Sequence, residues 1–221
     1  MSYQTSVGLA ESKLSAWLKN AAKKYGTFAD GRVDYTNAPI APTVMCTLKC
    51  GEEIFLGKRG YGLADAEGVW STINGFIDED KPVANIAANE FSEELGLNID
   101  PRNIQVGGSL KMKSSEEKRT YFVFPCLVIV DEKPKVKLDR EHTEYAWIKR
   151  SELDNYEILD GLAEVIDRAV YDAKNLDTGY TRKTEITLAD IPRVLVDRQQ
   201  YSPRLLNFFT TPSWQPMKQL V

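Results

Sequence analysis

Apolar residues recur at helical spacing in two long stretches of the chain. In residues 7–26 the apolar positions follow one another at steps of three and four, which predicts an amphipathic helix that ends at Gly26. The stretch ILDGLAEVIDRAVYDAKN, residues 158–175, has the same spacing and predicts a second amphipathic helix. Each helix therefore needs a sheet or another helix to cover its apolar face.

Six shorter stretches have the β-branched and aromatic composition of strands. The first two flank a short turn and predict a hairpin, and the last runs into a helix for which Ser151 is the predicted N-cap. The predicted strands are VMCTLK (44–49), EIFLGKR (53–59), GVWSTING (68–75), IQVGGSLKMK (104–113), RTYFVFPCLVIVD (119–131) and TEYAWIKRSEL (143–153).

The apolar pattern weakens after residue 176. Two stretches there, TLADIPRVLVDRQQ and SPRLLNFF, predict short helices, and the aromatic residues of the tail predict packing on the domain or on a partner subunit. We therefore divide the chain into an N-terminal helix and connector at 1–38, a central domain at 39–175 and a C-terminal extension at 176–221.

Strands that are contiguous in sequence, mixed with helices, predict an α+β fold or an α/β/α sandwich around a mixed β-sheet. With 221 residues and 43% apolar content the chain can bury a sizeable core. Its 28 Lys and Arg against 32 Asp and Glu offer no broad electrostatic basis for binding nucleic acid or a membrane surface. No run approaches the roughly 18 apolar residues of a membrane span.

Neither the first residues nor the cysteines indicate secretion. The start of the chain lacks the apolar core of a signal peptide. The three cysteines, Cys46, Cys50 and Cys126, are too few for a disulfide framework and are expected to be buried or half-buried thiols. We therefore expect a cytoplasmic protein.

Three glutamates lie close together in the stretch GFIDEDKPVANIAANEFSEELGL, residues 75–97. On a helix at 83–95 the alanines form an apolar stripe with Phe91 and Leu95, and the glutamates form the neighbouring stripe. Asp80 is the predicted N-cap, Pro82 fits the first turn, and Gly96 stands where a left-handed residue ends a helix. The three glutamates are Glu90, Glu93 and Glu94.

Like charges within one helical turn repel each other by about a few tenths of a kcal/mol per pair. A hard divalent cation, which prefers oxygen ligands, would reverse the sign of that interaction. A solvated helix face also explains such a cluster. The ordered surroundings favour the metal site, because Gly75, a strand before it, a loop and Gly96 accompany the glutamates.

This ordered set resembles the box of the Nudix hydrolases, G-x5-E-x7-R-E-U-x-E-E-x-G-U, where U is an apolar residue. Lys81 and Asn89 depart from it, at the positions of the first Glu and of the Arg. EIFLGKR, GVWSTINGFID and EHTEYAWIKRSEL are also similar to family segments, so the resemblance covers roughly residues 40–172. The matching box residues are Gly75, Glu90, Phe91, Glu93, Glu94, Gly96 and Leu97.

The resemblance implies an α/β/α sandwich that hydrolyses, by water attack on phosphorus, a diphosphate bond between a nucleoside and another moiety. It implies Mg²⁺ or Mn²⁺ as cofactor, with Glu93 and Glu94 as metal ligands and Glu90 as a further ligand or base. A carboxylate outside the helix often completes such a site. Glu141 and Glu144 are the candidates, and Glu144 is preferred as the catalytic residue.

Arg59, Trp70 and Gly75 are the predicted substrate-binding residues. Arg59 ends a strand near the expected phosphate site, although a surface salt bridge explains it equally well. Trp70 can stack on a base, although packing is the simpler explanation. His142 is expected to be a surface residue without a catalytic role.

Two other functions remain open. The departures at Lys81 and Asn89 are compatible with an inactive Nudix domain that binds a nucleotide or serves as an interaction module. The isopentenyl diphosphate isomerases share the fold, but they need a cysteine in a particular setting that we cannot assign. The expected partners are a nucleoside diphosphate derivative and a second copy of the chain in a homodimer. No membrane partner is expected, and no nucleic acid apart from a capped RNA end.

Overall fold

The computed structural model describes residues 6–7, 9–61, 66–113 and 119–176. Within them, nine strands form one sheet and three α-helices lie along the chain. The strands are β1 Ser6–Val7, β2 Ile40–Cys50, β3 Glu53–Arg59, β4 Trp70–Ser71, β5 Ile73–Phe76, β6 Gln105–Val106, β7 Leu110–Lys113, β8 Thr120–Val130 and β9 His142–Lys149. The helices are α1 Glu11–Tyr25, α2 Val83–Leu95 and α3 Leu162–Leu176.

The sheet is mixed, as predicted. Strand β2 pairs with β8 in parallel along its whole length and with β3 and β5 antiparallel. The five remaining pairs among the described strands are antiparallel: β1 with β7, β3 with β4, β3 with β9, β6 with β8 and β7 with β8. The long central strands β2 and β8 are almost continuously buried, as strands covered on both faces must be.

Two hydrophobic cores cover the two faces of this sheet. Helices α1 and α2 pack in the first core, and α3 packs in the second against β3, β7 and β9. The α/β/α sandwich is therefore confirmed. The N-terminal helix belongs to the same core as α2, because its apolar face, including Trp17 and Leu18, is buried there.

The element boundaries differ from the predictions in a few places. Helix α1 begins at Glu11 rather than at residue 7, because Ser6 and Val7 pair with β7. GVWSTING is divided into β4 and β5, and IQVGGSLKMK into β6 and β7. The element after β9 is a short 3₁₀ turn, Arg150–Asn155, whose N-cap is Lys149 and not Ser151.

Among the described helices, none combines the length and apolar character needed to span a bilayer. The short helices and the packing predicted for the tail lie outside the described residues, as does the turn at 114–118.

The start of α2 is capped by a residue of another helix. Pro82 stands at the N-cap, and the predicted cap Asp80 instead accepts a hydrogen bond from the Ser15 hydroxyl and pairs with Lys19 at 3.4 Å. The Val83 N–H donates to Glu11 Oε1 at 3.1 Å. The prediction for Asp80 was wrong because this cap comes from a residue 72 positions away in the chain.

We expect Glu11→Ala to lower the free energy of unfolding by about 1 kcal/mol, the usual effect of losing a helix cap. Glu11→Gln is the matched control, since its amide oxygen still accepts from the Val83 N–H. Urea unfolding of the three proteins measures the difference. Equal losses in both variants, or none in either, would contradict a capping role.

Candidate active site

Helix α2 holds the three glutamates on a rigid support. Its large apolar residues, including Phe91 and Leu95, are buried, and Gly96 ends it at φ 66° as predicted. The Gly96 N–H donates back to the carbonyls of Phe91 and Ser92. The helix extends over Val83–Leu95, the range predicted from the sequence. One turn of it therefore presents its carboxylates from a fixed backbone.

The Glu90 side chain lies against Gly75 in strand β5. A Cβ atom built at Gly75 would overlap the Glu90 carboxylate. Gly75 pairs with Val44 of β2, a core residue on the same face of the sheet as α2. The missing side chain of Gly75 leaves the space that Glu90 occupies, and the substrate-binding role of Gly75 stays a prediction.

Glu94 is the most deeply buried of the three, with 4% of its surface exposed. Its carboxylate accepts a hydrogen bond from the Asn74 backbone N–H and shares another with the Glu90 side chain. Glu93 lies on the exposed side of the helix. The three acids were predicted to share one face of the helix. In the structure Glu90 and Glu94 point towards the sheet, whereas Glu93 lies at the exposed edge of the cluster.

The segment between β8 and β9 brings further carboxylates to this helix. The Lys137 N–H donates to the Leu95 carbonyl at 2.8 Å and the Asp139 N–H to the Glu94 carbonyl at 3.1 Å. This attachment places Glu141 where its charge raises the pKa of Glu90, Glu93 and Glu94 alike. Sequence spacing could not show it, because it depends on contacts of a loop with a distant helix.

The preference for Glu144 over Glu141 is not supported. Glu144 lies in β9 opposite Lys58, pairs with the Lys58 ammonium at 2.6 Å and is more than half exposed. Lys58 lies over the Trp70 ring, 5.8 Å from its centroid, and Trp70 packs with α3 in the second core. Glu144 and Trp70 are therefore on the side of the sheet opposite to α2, away from the glutamates.

Trp70 is held by packing rather than offered to a ligand. Its ring meets Tyr156 edge to face at 5.1 Å, and its backbone N–H donates to the Glu157 carbonyl at 2.7 Å. The structure thus does not bring this predicted substrate residue to the acidic cluster. Arg59 ends β3 at a bulge beside His142, so its anion-binding role stays a prediction.

His142 is placed differently from its prediction. Instead of lying on the surface, it is 7% exposed, with Nε2 3.7 Å from Glu94 Oε2. It is the only histidine of the chain, and it was missed because a histidine at the start of a strand carries no signal of burial. Its imidazole lies against Gly57, where a Cβ atom would overlap the ring.

Arg32, which comes before the central domain, supplies a positive charge to the cluster. It pairs with Asp78 at 3.5 Å and with Asp30 at 2.8 Å, and its charge lowers the pKa of Glu93. The Val33 N–H donates to the Asp78 carbonyl at 2.9 Å and holds this segment on the box loop. No sequence pattern predicted the contribution of Arg32.

The two departures from the box occupy peripheral positions. Lys81 pairs with Glu79 at 2.6 Å, and both side chains are exposed. Asn89 is exposed as well. The positive charge that the box expects on the helix is therefore replaced by one that approaches from the N-terminal segment.

Burial and mutual repulsion raise the pKa values of the acidic cluster. Burial is the main cause for Glu90 and Glu94, whose pKa values lie well above the usual range, and the neighbouring glutamates add to it. Burial also raises the pKa of Glu93, and that of Asp78 to about 6, although Arg32 opposes both shifts. The charge of Arg32 thus only partly offsets burial and the repulsion among these carboxylates.

The donor set fits a hard divalent cation in its chemistry. Carboxylate oxygens are the ligands that Mg²⁺ and Mn²⁺ prefer. In the described part of the chain, no three carboxylate, imidazole or thiol groups converge closely enough to hold a metal ion. Glu90, Glu93 and Glu94 would therefore have to reorient their side chains to share one, which their common helical turn allows.

Cys46 is a buried thiol in the same core as the apolar face of α2. Burial raises its pKa well above the usual range, and its neighbour in the sheet register is Cys126, which is also free and buried. A thiol that is buried and kept protonated is a poor nucleophile. This environment gives no support to the isomerase chemistry.

Comparisons with known proteins identify the family. A family model described as NUDIX domain matches residues 39–169. A search of the curated proteins finds no match. The MutT protein of Methanosarcina mazei Go1 has a TM-score of 0.51 at 19% identity, covering 62% of this chain and 98% of that one.

Two further solved structures share the fold. A NUDIX hydrolase from Nitrosomonas europaea has a TM-score of 0.51 at 17% identity, covering 64% of this chain and 97% of that one. The NUDIX domain of Shewanella oneidensis NrtR, complexed with ADP ribose, has a TM-score of 0.50 at 14% identity, covering 59% and 86%. With the family model spanning more than half of the residues, this chain belongs to the Nudix hydrolase family.

Proposed function

We propose that this chain is a metal-dependent pyrophosphohydrolase that cleaves the diphosphate bond between a nucleoside and another moiety. The observation that carries the proposal is that Glu94, which is 4% exposed, shares a hydrogen bond with the half-buried Glu90 while burial and neighbouring carboxylates raise the pKa of both. Removing carboxylates from water is unfavourable unless a cation or strong hydrogen bonds compensate. A bound Mg²⁺ or Mn²⁺ ion would supply that compensation and would bind the negative oxygens of a diphosphate.

Each residue has a distinct part in this proposal. Glu90, Glu93 and Glu94 would hold the cation, which when bound would supply charge neutralisation of the diphosphate and activation of the attacking water. Glu141 takes the role of general base that was first assigned to Glu144, because its charge acts on all three glutamates. Arg59 is retained as the candidate that binds a phosphate oxygen.

Several finer expectations stay predictions. The homodimer is one of them, and a monomer mass in light scattering at micromolar concentration would contradict it. The cytoplasm is proposed as the compartment, and the free thiols of Cys46 and Cys126 fit a reducing environment. Among nucleic acids only a capped RNA end, which contains a pyrophosphate, remains a candidate substrate.

We expect Glu93→Gln and Glu94→Gln to lower kcat/KM by about two orders of magnitude or more, because a metal ion supplies several kcal/mol of transition-state stabilisation. The assay is release of phosphate products with Mg²⁺ or Mn²⁺ from a panel of nucleotide sugars, dinucleotides, nucleoside triphosphates and ADP-ribose. ADP-ribose is included because the S. oneidensis domain was crystallised with it.

Glu141→Gln and Glu144→Gln form a matched pair in the same assay. We expect Glu141→Gln to lower kcat by about 10²–10⁴-fold, the usual effect of losing a general base. Glu144→Gln, which loses only the ion pair with Lys58 on the opposite side of the sheet, should keep kcat near the wild-type value. Turnover that survives Glu93→Gln and Glu94→Gln would discard the catalytic role of the helix. Absence of turnover by the wild type across the panel would favour the nucleotide-binding module.

We expect Gly75→Ala to weaken Mn²⁺ binding and turnover while the protein remains folded. The added methyl group displaces the flexible end of Glu90, which costs the fold little but moves a proposed ligand. Gly108→Ala is the control, since a Cβ atom there would meet no heavy atom within 4 Å. Calorimetric titration with Mn²⁺ and circular dichroism separate the two effects, and unchanged Mn²⁺ affinity in Gly75→Ala would contradict the seating of Glu90.

The metal-free protein should be more stable at pH 5 than at pH 8. Asp78 has a pKa of about 6 in the folded protein against an ordinary value of 3.8. The folded state therefore binds a proton that the unfolded state releases, and the resulting stabilisation is lost as the pH rises through about 6. The difference of about two pKa units corresponds to at most about 3 kcal/mol.

Asp78→Asn removes this titration and should reduce the pH dependence of the free energy of unfolding. Urea unfolding of the wild type and the variant in EDTA at pH 5 and pH 8 measures it. The same pH dependence in both proteins would show that Asp78 is not the group responsible.

A further inference from the structure

His142 lies between two carboxylates. Its Nε2 atom is 3.7 Å from Glu94 Oε2 and its Nδ1 atom is 3.5 Å from Asp139 Oδ1. The side chain is almost completely buried, and Nδ1 makes no hydrogen bond to any described residue. Buried polar atoms are nearly always paired, so an imidazole in this state calls for an explanation other than packing.

The neighbouring strand is shaped to receive this ring. Gly57 in β3 pairs with Tyr145 in β9, and a Cβ atom on Gly57 would overlap the His142 imidazole. Glycine weakens a strand interior, so its presence marks a close approach by another group. The group that approaches here is the imidazole, which Gly57 admits to a position beside Glu94.

The loop before β9 fixes the ring from its other side. The Asp139 N–H donates to the Glu94 carbonyl at 3.1 Å, and the Asp139 carboxylate accepts from the Glu141 N–H at 2.9 Å. The Gly60 N–H donates to the Glu141 carbonyl at 2.7 Å. The loop, the end of β3 and the helix terminus are thus tied together around His142.

We propose that His142 is a positioning residue that orients the Glu94 carboxylate for metal binding. Asn89 on the helix cannot donate the charge-assisted hydrogen bonds of the arginine expected there, and it is exposed. His142 reaches the inward glutamate from the sheet instead. The separation of 3.7 Å is longer than a hydrogen bond, and such contacts tighten when the site is loaded. This inference rests on the proposed metal-dependent function.

The test compares two replacements of similar size with opposite chemistry. His142→Gln keeps a side-chain N–H that can reach Glu94, whereas His142→Leu fills the space without a donor. We expect His142→Leu to weaken Mn²⁺ binding about 10–100-fold, the usual effect of losing a partner behind a metal ligand. His142→Gln should retain most of the affinity, while the Tm of the Leu variant should be no lower than that of the Gln variant.

The Gln variant is expected to bind Mn²⁺ more tightly, whereas the Leu variant is expected to be at least as stable. This difference between affinity and stability separates positioning from packing. If His142 served only to fill the core, Leu would preserve Mn²⁺ binding at least as well as Gln. Gly57→Ala provides an independent perturbation, because it pushes the ring away from Glu94 without changing it and should also weaken Mn²⁺ binding. Gly108→Ala again serves as the control.

Nuclear magnetic resonance gives a readout that does not depend on turnover. Because His142 is the only histidine, its imidazole C–H signals can be recognised without further assignment. Substoichiometric Mn²⁺ should broaden these signals in the wild type but not in Glu94→Gln. Sharp signals in the wild type at saturating Mn²⁺ would overturn the placement of the ring beside the metal.

The outcomes distinguish the two proposals. If the wild type binds Mn²⁺ and hydrolyses a substrate while His142→Leu matches it in Mn²⁺ affinity, the positioning role is wrong and the proposed function stands. If the wild type neither binds Mn²⁺ nor turns over any compound of the panel, the proposed function fails and the positioning role fails with it. Loss of Mn²⁺ affinity in His142→Leu and Gly57→Ala, but not in His142→Gln, supports both.

Discussion

The burial of two adjacent carboxylates on one turn of helix is the constraint around which this site is built. Burial raises the pKa of both Glu90 and Glu94, the charge of Glu90 adds to the shift of Glu94, and the hydrogen bond between the two side chains opposes the shift of Glu90. Neutral side chains of similar shape would avoid that unfavourable energy and pack as well. The fold alone therefore gives no reason for two acids at these positions, whereas a divalent cation does.

Small residues in the sheet make this burial sterically feasible. Gly75 leaves the space that Glu90 fills, and Gly57 leaves the space for the imidazole beside Glu94. Both glycines lie in strands on the face of the sheet that α2 covers. The two glycines thus leave room for polar side chains between the sheet and the helix, in a layer that is otherwise apolar. This explains why glycine, which weakens strands, stands in the interior of two of them.

Much of the fold could be predicted from periodicity, and the outcome at α2 shows why. Its apolar stripe, its length and its terminal Gly96 are local properties, and the helix has the predicted bounds. Trp70 packs in the second core, the simpler of the two explanations that the sequence allowed. The surroundings of Asp80 and Glu144 were not predicted, because they depend on which distant segment meets them: Ser15 and Lys19 for the first, Lys58 for the second. His142 and Arg32 were missed for the same reason, since burial and long-range charge leave no periodic trace in a single sequence.

The departures from the family box also become intelligible in three dimensions. An arginine at position 89 would reach the glutamates along the helix, within one turn of its own backbone. This chain instead surrounds the helix with groups from elsewhere: Arg32 from the N-terminal segment acts on Glu93 at the rim, and His142 from β9 lies against Glu94 inside. The two groups thus act on different glutamates. The contacts of Arg32 and Val33 with Asp78 therefore connect the N-terminal segment to the loop that leads into α2.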